Sequence, residues 1–169
     1  LRVAAGSRPI VLAASTHSPE EQILLKASQE VVRAGYPHLL IIAPRHSDRS
    51  QDIARLMPQA AHRSKNQLPL LGDNHFLADS FGEMSSLVTA ADIVILGGSF
   101  APKGGHNPLE IAALSTPLIT GPSQFKNKVE FDTLQQYGQC ITVKDGAALV
   151  KQLNIWFEAL RIEGRAIPQ

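Results

Sequence analysis

Between residues 97 and 110 the chain reads Gly-Gly-Ser-Phe-Ala-Pro-Lys-Gly-Gly-His-Asn-Pro-Leu-Glu, and no other stretch is so suited to holding an anion. Four glycines let backbone amides approach a ligand closely and tolerate positive φ. Lys103 and His106 stand among them. Asn107 offers an N-cap oxygen, Pro108 sits where a missing N–H costs nothing, and Glu110 completes a capping-box spacing. A glycine-rich loop that runs into a helix N-terminus is a site for phosphate or a similar group. A long loop that merely caps a helix would share the glycines. The ordered Gly-Gly-His-Asn-Pro-Leu-Glu series is the more specific feature.

Such a loop works only if a strand delivers it and a helix receives it. The apolar run 93–96 predicts a buried strand before it, and 109–114 a helix after it. Apolar runs and helical patterns alternate along the whole chain, which predicts a parallel α/β sheet. Strands are expected at 9–14, 39–43, 75–79, 92–96, 117–120 and 139–143, with a short one after 61. Helices are expected at 19–34, 48–57, 83–90, 109–114, 129–137 and 147–160. The near-continuous apolar character of 39–43 suits a strand covered on both faces. The chain is expected to enter a strand almost at once, and its start at Leu1 suggests a piece of something longer.

Three strand-to-helix turns share one pattern: Ser18…Glu21, Ser80…Glu83 and Asn107…Glu110 each pair a cap residue with a glutamate three positions on. All three therefore lie at the carboxyl edge of the sheet, where open α/β sheets bind ligands. Capping accounts for Glu20 and Glu21, whereas for Glu83 and Glu110 it is compatible with a ligand role. Asp48 and Arg49 read as a helix start.

Bulk properties narrow the classes. A length of 169 residues, 44% hydrophobic and 18% charged, fits one soluble domain with a proper core. A net charge of +1, with no basic stripe, gives no case for nucleic-acid binding. Cys140 is the sole cysteine, so no internal disulfide forms, and it reads as a small core residue. The six histidines are scattered, with no zinc-ligand spacing and no carboxylate cluster for magnesium, so no metal site is expected. No apolar run is long enough to span a bilayer.

The Gly104–Glu110 run resembles the hallmark of the Kdo transferases, bacterial enzymes of the lipopolysaccharide inner core. Matching pieces occur in the same order: Ala14-Ser15-Thr16-His17, Ala43-Pro44-Arg45-His46, Asp79-Ser80-Phe81-Gly82-Glu83-Met84 and Gly121-Pro122. The resemblance runs from residue 9 to about 153. It implies a Rossmann-like parallel sheet with helices on both faces, the C-terminal half of a GT-B glycosyltransferase. It further implies that 1–169 is a single nucleotide-sugar binding domain for CMP-activated 3-deoxy-D-manno-oct-2-ulosonic acid (CMP-Kdo), with no cofactor. The acceptor, lipid A or its precursor, the membrane anchor and the catalytic base would all belong to an N-terminal half absent from this chain. The full-length protein would work at the cytoplasmic face of the inner membrane, and the fragment would be soluble and inactive alone.

The same resemblance implies roles residue by residue. Arg45 would fork onto phosphate or carboxylate, with His46 assisting, and Lys103 and the amides of Gly104 and Gly105 would meet the charged part of the donor. His106 stands in that loop, and Asn107 would cap its helix and touch phosphate. Glu110 would accept from the ribose hydroxyls. Ser80, Gly82, Glu83 and Met84 would face the nucleotide, Met84 packing on the base. Ser15, Thr16 and His17 would lie near the sugar. After Gly121-Pro122 the family usually shows a histidine and an Asn-Phe pair. Here 123–128 read Ser-Gln-Phe-Lys-Asn-Lys, which departs from that pattern while staying positive. Two other readings share these residues: a GT-B enzyme using a UDP-sugar or a related epimerase, and a non-catalytic nucleotide-binding module.

Overall fold

The computed structural model describes residues 1–164. Seven parallel strands form one sheet in the order β3-β4-β2-β1-β5-β6-β7. They are β1 (Ile10–Thr16), β2 (Leu39–Pro44), β3 (Ala61–His62), β4 (His75–Leu77), β5 (Ile93–Leu96), β6 (Leu118–Thr120) and β7 (Cys140–Thr142). With the two-residue edge strand β3 set aside, this is the strand order of dinucleotide-binding folds. Its topological switch point lies between β1 and β5. The anion loop leaves β5 there.

Helices cover both faces, as expected. Along β1, Val11 and Ala13 pack into one core with α2 (Glu20–Arg33), α3 (Ser50–Leu56) and α7 (Gly146–Glu163). Ile10, Leu12 and Ala14 pack into the other with α4 (Met84–Ala90), α5 (Leu109–Ala112) and α6 (Lys128–Gln136). This two-sided burial explains why the central strands are apolar throughout. α7 places Leu149, Leu153, Trp156 and Phe157 on one buried stripe. The Asp145 side chain accepts from Ala148 N at its start, and Gly164 ends it in the left-handed region. Cys140 is buried, and burial pushes its thiol up to about 12, so it is an unreactive core residue.

The structure differs from the sequence reading at three local points. The chain opens with α1 (Arg2–Ala5), a helical turn ahead of the first expected strand that the sequence reading did not include. The helix after the glycine loop is a single turn. None of the three capping boxes forms as the spacing suggests. The Ser80 hydroxyl donates to Glu83 rather than accepting an amide, and Asn107 Oδ1 takes Leu109 N at 3.0 Å, two residues on. Glu21 and Glu83 pair with Arg49 and Arg63 instead.

Glu20, the neighbour of Glu21, binds backbone amides. Its carboxylate is fully buried and accepts five backbone N–H groups. His17 and Gly98 donate to Oε2 at 2.8 and 2.9 Å. Ser99, Phe100 and Ala101 donate to Oε1 at 3.0, 2.8 and 3.1 Å. The side chain thus staples the end of β1 to the first half of the glycine loop. Beside it, buried Glu21 takes the Arg49 guanidinium through two bonds of 2.7 and 3.1 Å, and Thr16 Oγ1 at 2.8 Å. Burial by itself would raise the Glu21 pKa. The Arg49, backbone and Thr16 hydrogen bonds outweigh it and leave the carboxyl below its ordinary value.

Where β1 and β5 end, backbone meets backbone. A Cβ on Gly97 would lie 2.3 Å from the Ser15 carbonyl oxygen, with no flexible side chain to give way. Gly97→Ala should therefore cost about 3 kcal/mol or prevent folding, read as a lost or sharply lowered thermal transition. Gly138, with open space around it, serves as the contrast: Gly138→Ala meets only its positive φ and should cost about 1 kcal/mol. Glu20→Gln replaces a charged acceptor by a neutral amide whose NH2 faces donors. It should lower stability by about 3 kcal/mol in urea unfolding.

Candidate functional site

β1 carries the chain to the switch point and departs from regular geometry there. Its pairing with β2 shifts between Ala14 and Thr16, and the intervening Ser15 has φ 56°. Left-handed backbone at a serine is uncommon, and here it forms a bulge before Thr16 resumes pairing with Pro44. β2 ends beside it with Arg45 and His46. β5 runs into the loop that Glu20 staples. Three neighbouring strand ends thus converge on one rim.

A cleft of about 300 Å³ opens at that rim on the α4/α5 side. Six of the sequence-predicted residues line it: Ser15, Arg45, Met84, His106, Asn107 and Glu110. Ala14 and Leu96 form its strand-side wall, and Ser85, Val88, Ile111 and Leu114 extend it along α4 and α5. One end therefore carries Arg45 and the imidazole of His106, while Met84, Val88 and Leu114 make an apolar wall. Cation, carboxylate and apolar surface together suit a ligand that joins an acidic group to a flat, hydroxylated body.

His17 and His46 lie next to the cleft through His106. The His17 and His106 Nε2 atoms are 2.8 Å apart with near-parallel rings, and His46 meets the His17 ring edge-on at 5.7 Å between centroids. Burial, then His17 and Arg45, push the His106 pKa down to about 4. Burial likewise lowers His17; nearby Glu20 opposes this, and His46, Lys103 and Arg49 reinforce it. Both imidazoles are therefore neutral at pH 7.

Other predicted residues take different places. Thr16 is buried and its hydroxyl is spent on Glu21, so it supports the rim from behind instead of facing it. Gly104 and Gly105 are buried in the lower loop, and their amides are already used. Gly104 N donates to Ser123 Oγ at 3.0 Å, and Gly105 N to the Gly98 carbonyl at 2.8 Å. Their glycine character answers to packing: a Cβ would fall 2.7 Å from Lys126 Cγ on Gly104 and 2.8 Å from the Phe131 ring on Gly105. The expected free amides are thus absent at these two positions. Ser80, Gly82 and Glu83 sit at the approach to α4 outside the cleft lining. Glu83 is held by both Arg63 and Ser80 there. Lys103 does not line the cleft either, but stands near His17.

Spacing alone missed the supporting residues. Arg49, read as a helix start, is the partner of a buried carboxylate. Glu20 and Glu21, read as caps, organise the rim. Lys126, in the loop that departs from the family pattern, lies near His106, and its backbone N–H is pinned to the Gly104 carbonyl at 3.1 Å. Two adjacent glutamates directly after a strand end were the available signal for such a staple. Among the described residues no group of three or more His, Cys, Asp or Glu side chains has the geometry to hold a metal ion.

The histidines make the pH response specific. His17, His38, His75 and His106 all have pKa values below the usual 6.5 in the folded state, His38 and His106 at about 4, with burial the largest cause in each. The unfolded chain therefore binds protons first as pH falls, so stability is full above about 6.5 and declines toward 4. Urea midpoints measured from pH 7 to 4 should drop steadily, and imidazole NMR should show His106 still neutral at pH 5.5.

No family model matches the chain. Curated proteins named 3-deoxy-D-manno-octulosonic acid transferase do. That of Haemophilus influenzae is 43% identical over 123 residues, covering 70% of this chain and 29% of that protein. That of Rickettsia bellii is 34% identical over 152 residues, covering 88% of this chain and 36% of that protein. The chain thus spans about a third of the length of the curated relatives it matches. Among solved structures, the C-terminal CMP-Kdo binding domain of WaaA from Acinetobacter baumannii superposes with a TM-score of 0.82 at 28% identity. The match covers 93% of this chain and 83% of that one. The glycotransferase of kitacinnamycin matches with a TM-score of 0.59 at 13% identity, over 96% of this chain and 37% of that one, and bears on the fold alone. By sequence and fold together, the chain is a domain of the 3-deoxy-D-manno-octulosonic acid transferase family, built as the Rossmann-like half of a GT-B glycosyltransferase.

Proposed function

We propose that this domain holds CMP-Kdo for a transferase that passes Kdo to lipid A or its precursor. The observation that carries the reading is the switch-point cleft, whose Arg45, His106, Asn107 and Glu110 face one space beside the apolar wall of Met84 and Val88. CMP-Kdo presents a phosphate, a sugar carboxylate, a ribose diol and a flat base, and the cleft offers a counterpart to each. The relative from Acinetobacter baumannii, described as a CMP-Kdo binding domain, supports the assignment.

In this reading Arg45 pairs with the acidic part of the donor through two N–H groups, a geometry suited to phosphate or carboxylate. Glu110 accepts from the ribose hydroxyls, and Met84 packs against cytosine. Asn107, its side chain committed to Leu109 N, shapes the turn beneath the phosphate. Transfer requires an acceptor hydroxyl to attack the anomeric carbon of Kdo as the bond to CMP breaks. Arg45 and Lys103 then offset the charge that develops on the departing phosphate. The base, the lipid acceptor site and contact with the cytoplasmic face of the inner membrane belong, in this reading, to the part of the enzyme outside this chain. Among the described residues no helix is long and apolar enough to cross a membrane.

Calorimetry with CMP tests the assignment directly. Saturable binding should appear, with UMP at least about tenfold weaker, a difference of about 1.4 kcal/mol. Glu110→Ala should weaken CMP by about tenfold, the loss of hydrogen bonds to a charged acceptor. Arg45→Ala should weaken CMP far more than cytidine, because its partner is the acidic group. Equal losses for both ligands would remove Arg45 from that role, and equal CMP and UMP affinities would remove the cytosine assignment.

A further inference from the structure

His17 ends β1, His106 ends the glycine loop, and their Nε2 atoms lie 2.8 Å apart with ring planes 11° from parallel and centroids 5.0 Å apart. A gap of that size holds one hydrogen. One Nε2 donates and the other accepts on a bare lone pair, so both cannot carry a hydrogen while the contact lasts. The pair is closed on itself, and neither ring presents both lone pair and proton to a ligand.

The surroundings are lopsided in charge. Arg45 and His46 face the pair from the end of β2, and Arg49 from the start of α3. Lys103 approaches from the glycine loop and Lys126 from the loop after β6. Glu20 from α2 is the one anion among these groups, and its oxygens already accept five backbone amides. Added positive charge is therefore resisted at this rim, and a negative ligand reverses the sign of that balance.

We infer that an oxyanion bound at this rim separates the two Nε2 atoms, takes a hydrogen bond from each, and draws one proton from solvent onto the pair. The inference rests on the reading of this rim as an anion-binding site. The bookkeeping is simple: a neutral pair with one shared hydrogen, plus one proton, becomes a singly charged pair with a hydrogen on each Nε2. No bond other than hydrogen bonds is made or broken. The phosphate or the carboxylate of a nucleotide-sugar has the right chemistry. Binding is then linked to pH, tightening as pH falls by up to about tenfold per pH unit until the pair is charged.

Calorimetry with CMP at pH 7, in two buffers of different ionisation enthalpy, counts the protons taken up on binding. Wild type should take up about half to one proton more than His106→Gln. Equal counts overturn the inference, and so does intact wild-type binding with only a tautomer shift and no net uptake. Should CMP not bind at all, the nucleotide reading falls, and inorganic phosphate followed by imidazole NMR decides the matter. At saturating phosphate the His17 and His106 rings should titrate at a higher pH than without it. Rings that titrate at the same pH with and without phosphate overturn the proton-linked clasp.

Discussion

A single buried carboxylate, Glu20, organises the functional rim. Five amides from two separate segments converge on its oxygens, and the chain on either side of the switch point depends on that convergence. Hydrogen bonds to an ionised acceptor in a dry setting are stronger than neutral ones, and an unpaired charge there would be costly. The glycine loop therefore lies where Glu20 draws it. Its first half is stapled to α2 and its second half to the loop after β6, through Ser123, Lys126 and Asn127.

This arrangement changes what a glycine-rich loop does. In many nucleotide sites the loop amides point at phosphate. Here Gly98, Ser99, Phe100 and Ala101 spend theirs on Glu20, while Gly104 and Gly105 spend theirs on Ser123 and Gly98. What is left to meet a ligand is a set of side chains: Arg45, His106, Lys103, Lys126 and, through its contact with His106, His17. An anion at this rim would therefore meet titratable side chains instead of fixed backbone dipoles, and its binding would respond to pH.

Much of the architecture was legible beforehand. Alternating apolar and amphipathic runs predicted the parallel sheet, and β1, β2, β5 and α2 fall within two residues of their expected bounds. Two-sided burial explains this, because a strand covered on both faces has little choice but to be apolar. Six of the fifteen residues singled out for binding line one cleft, since the carboxyl ends of neighbouring parallel strands must lie side by side. Spacing was misleading at the capping boxes, because a glutamate three residues past a serine or asparagine can be claimed by any stronger partner nearby. Arg63 claims Glu83 and Arg49 claims Glu21.

Residue types and their order along the chain thus determined the sheet, the position of the glycine loop, and the edge where a ligand would sit. Those follow from local periodicity and from the steric freedom of glycine. Only the tertiary structure decided which amides are spent and which side chains face one cleft. It also brought His17 against His106, residues 89 positions apart. Hydrogen-bond partners are chosen by distance and direction in space, and sequence spacing carries no record of that choice across separate strands.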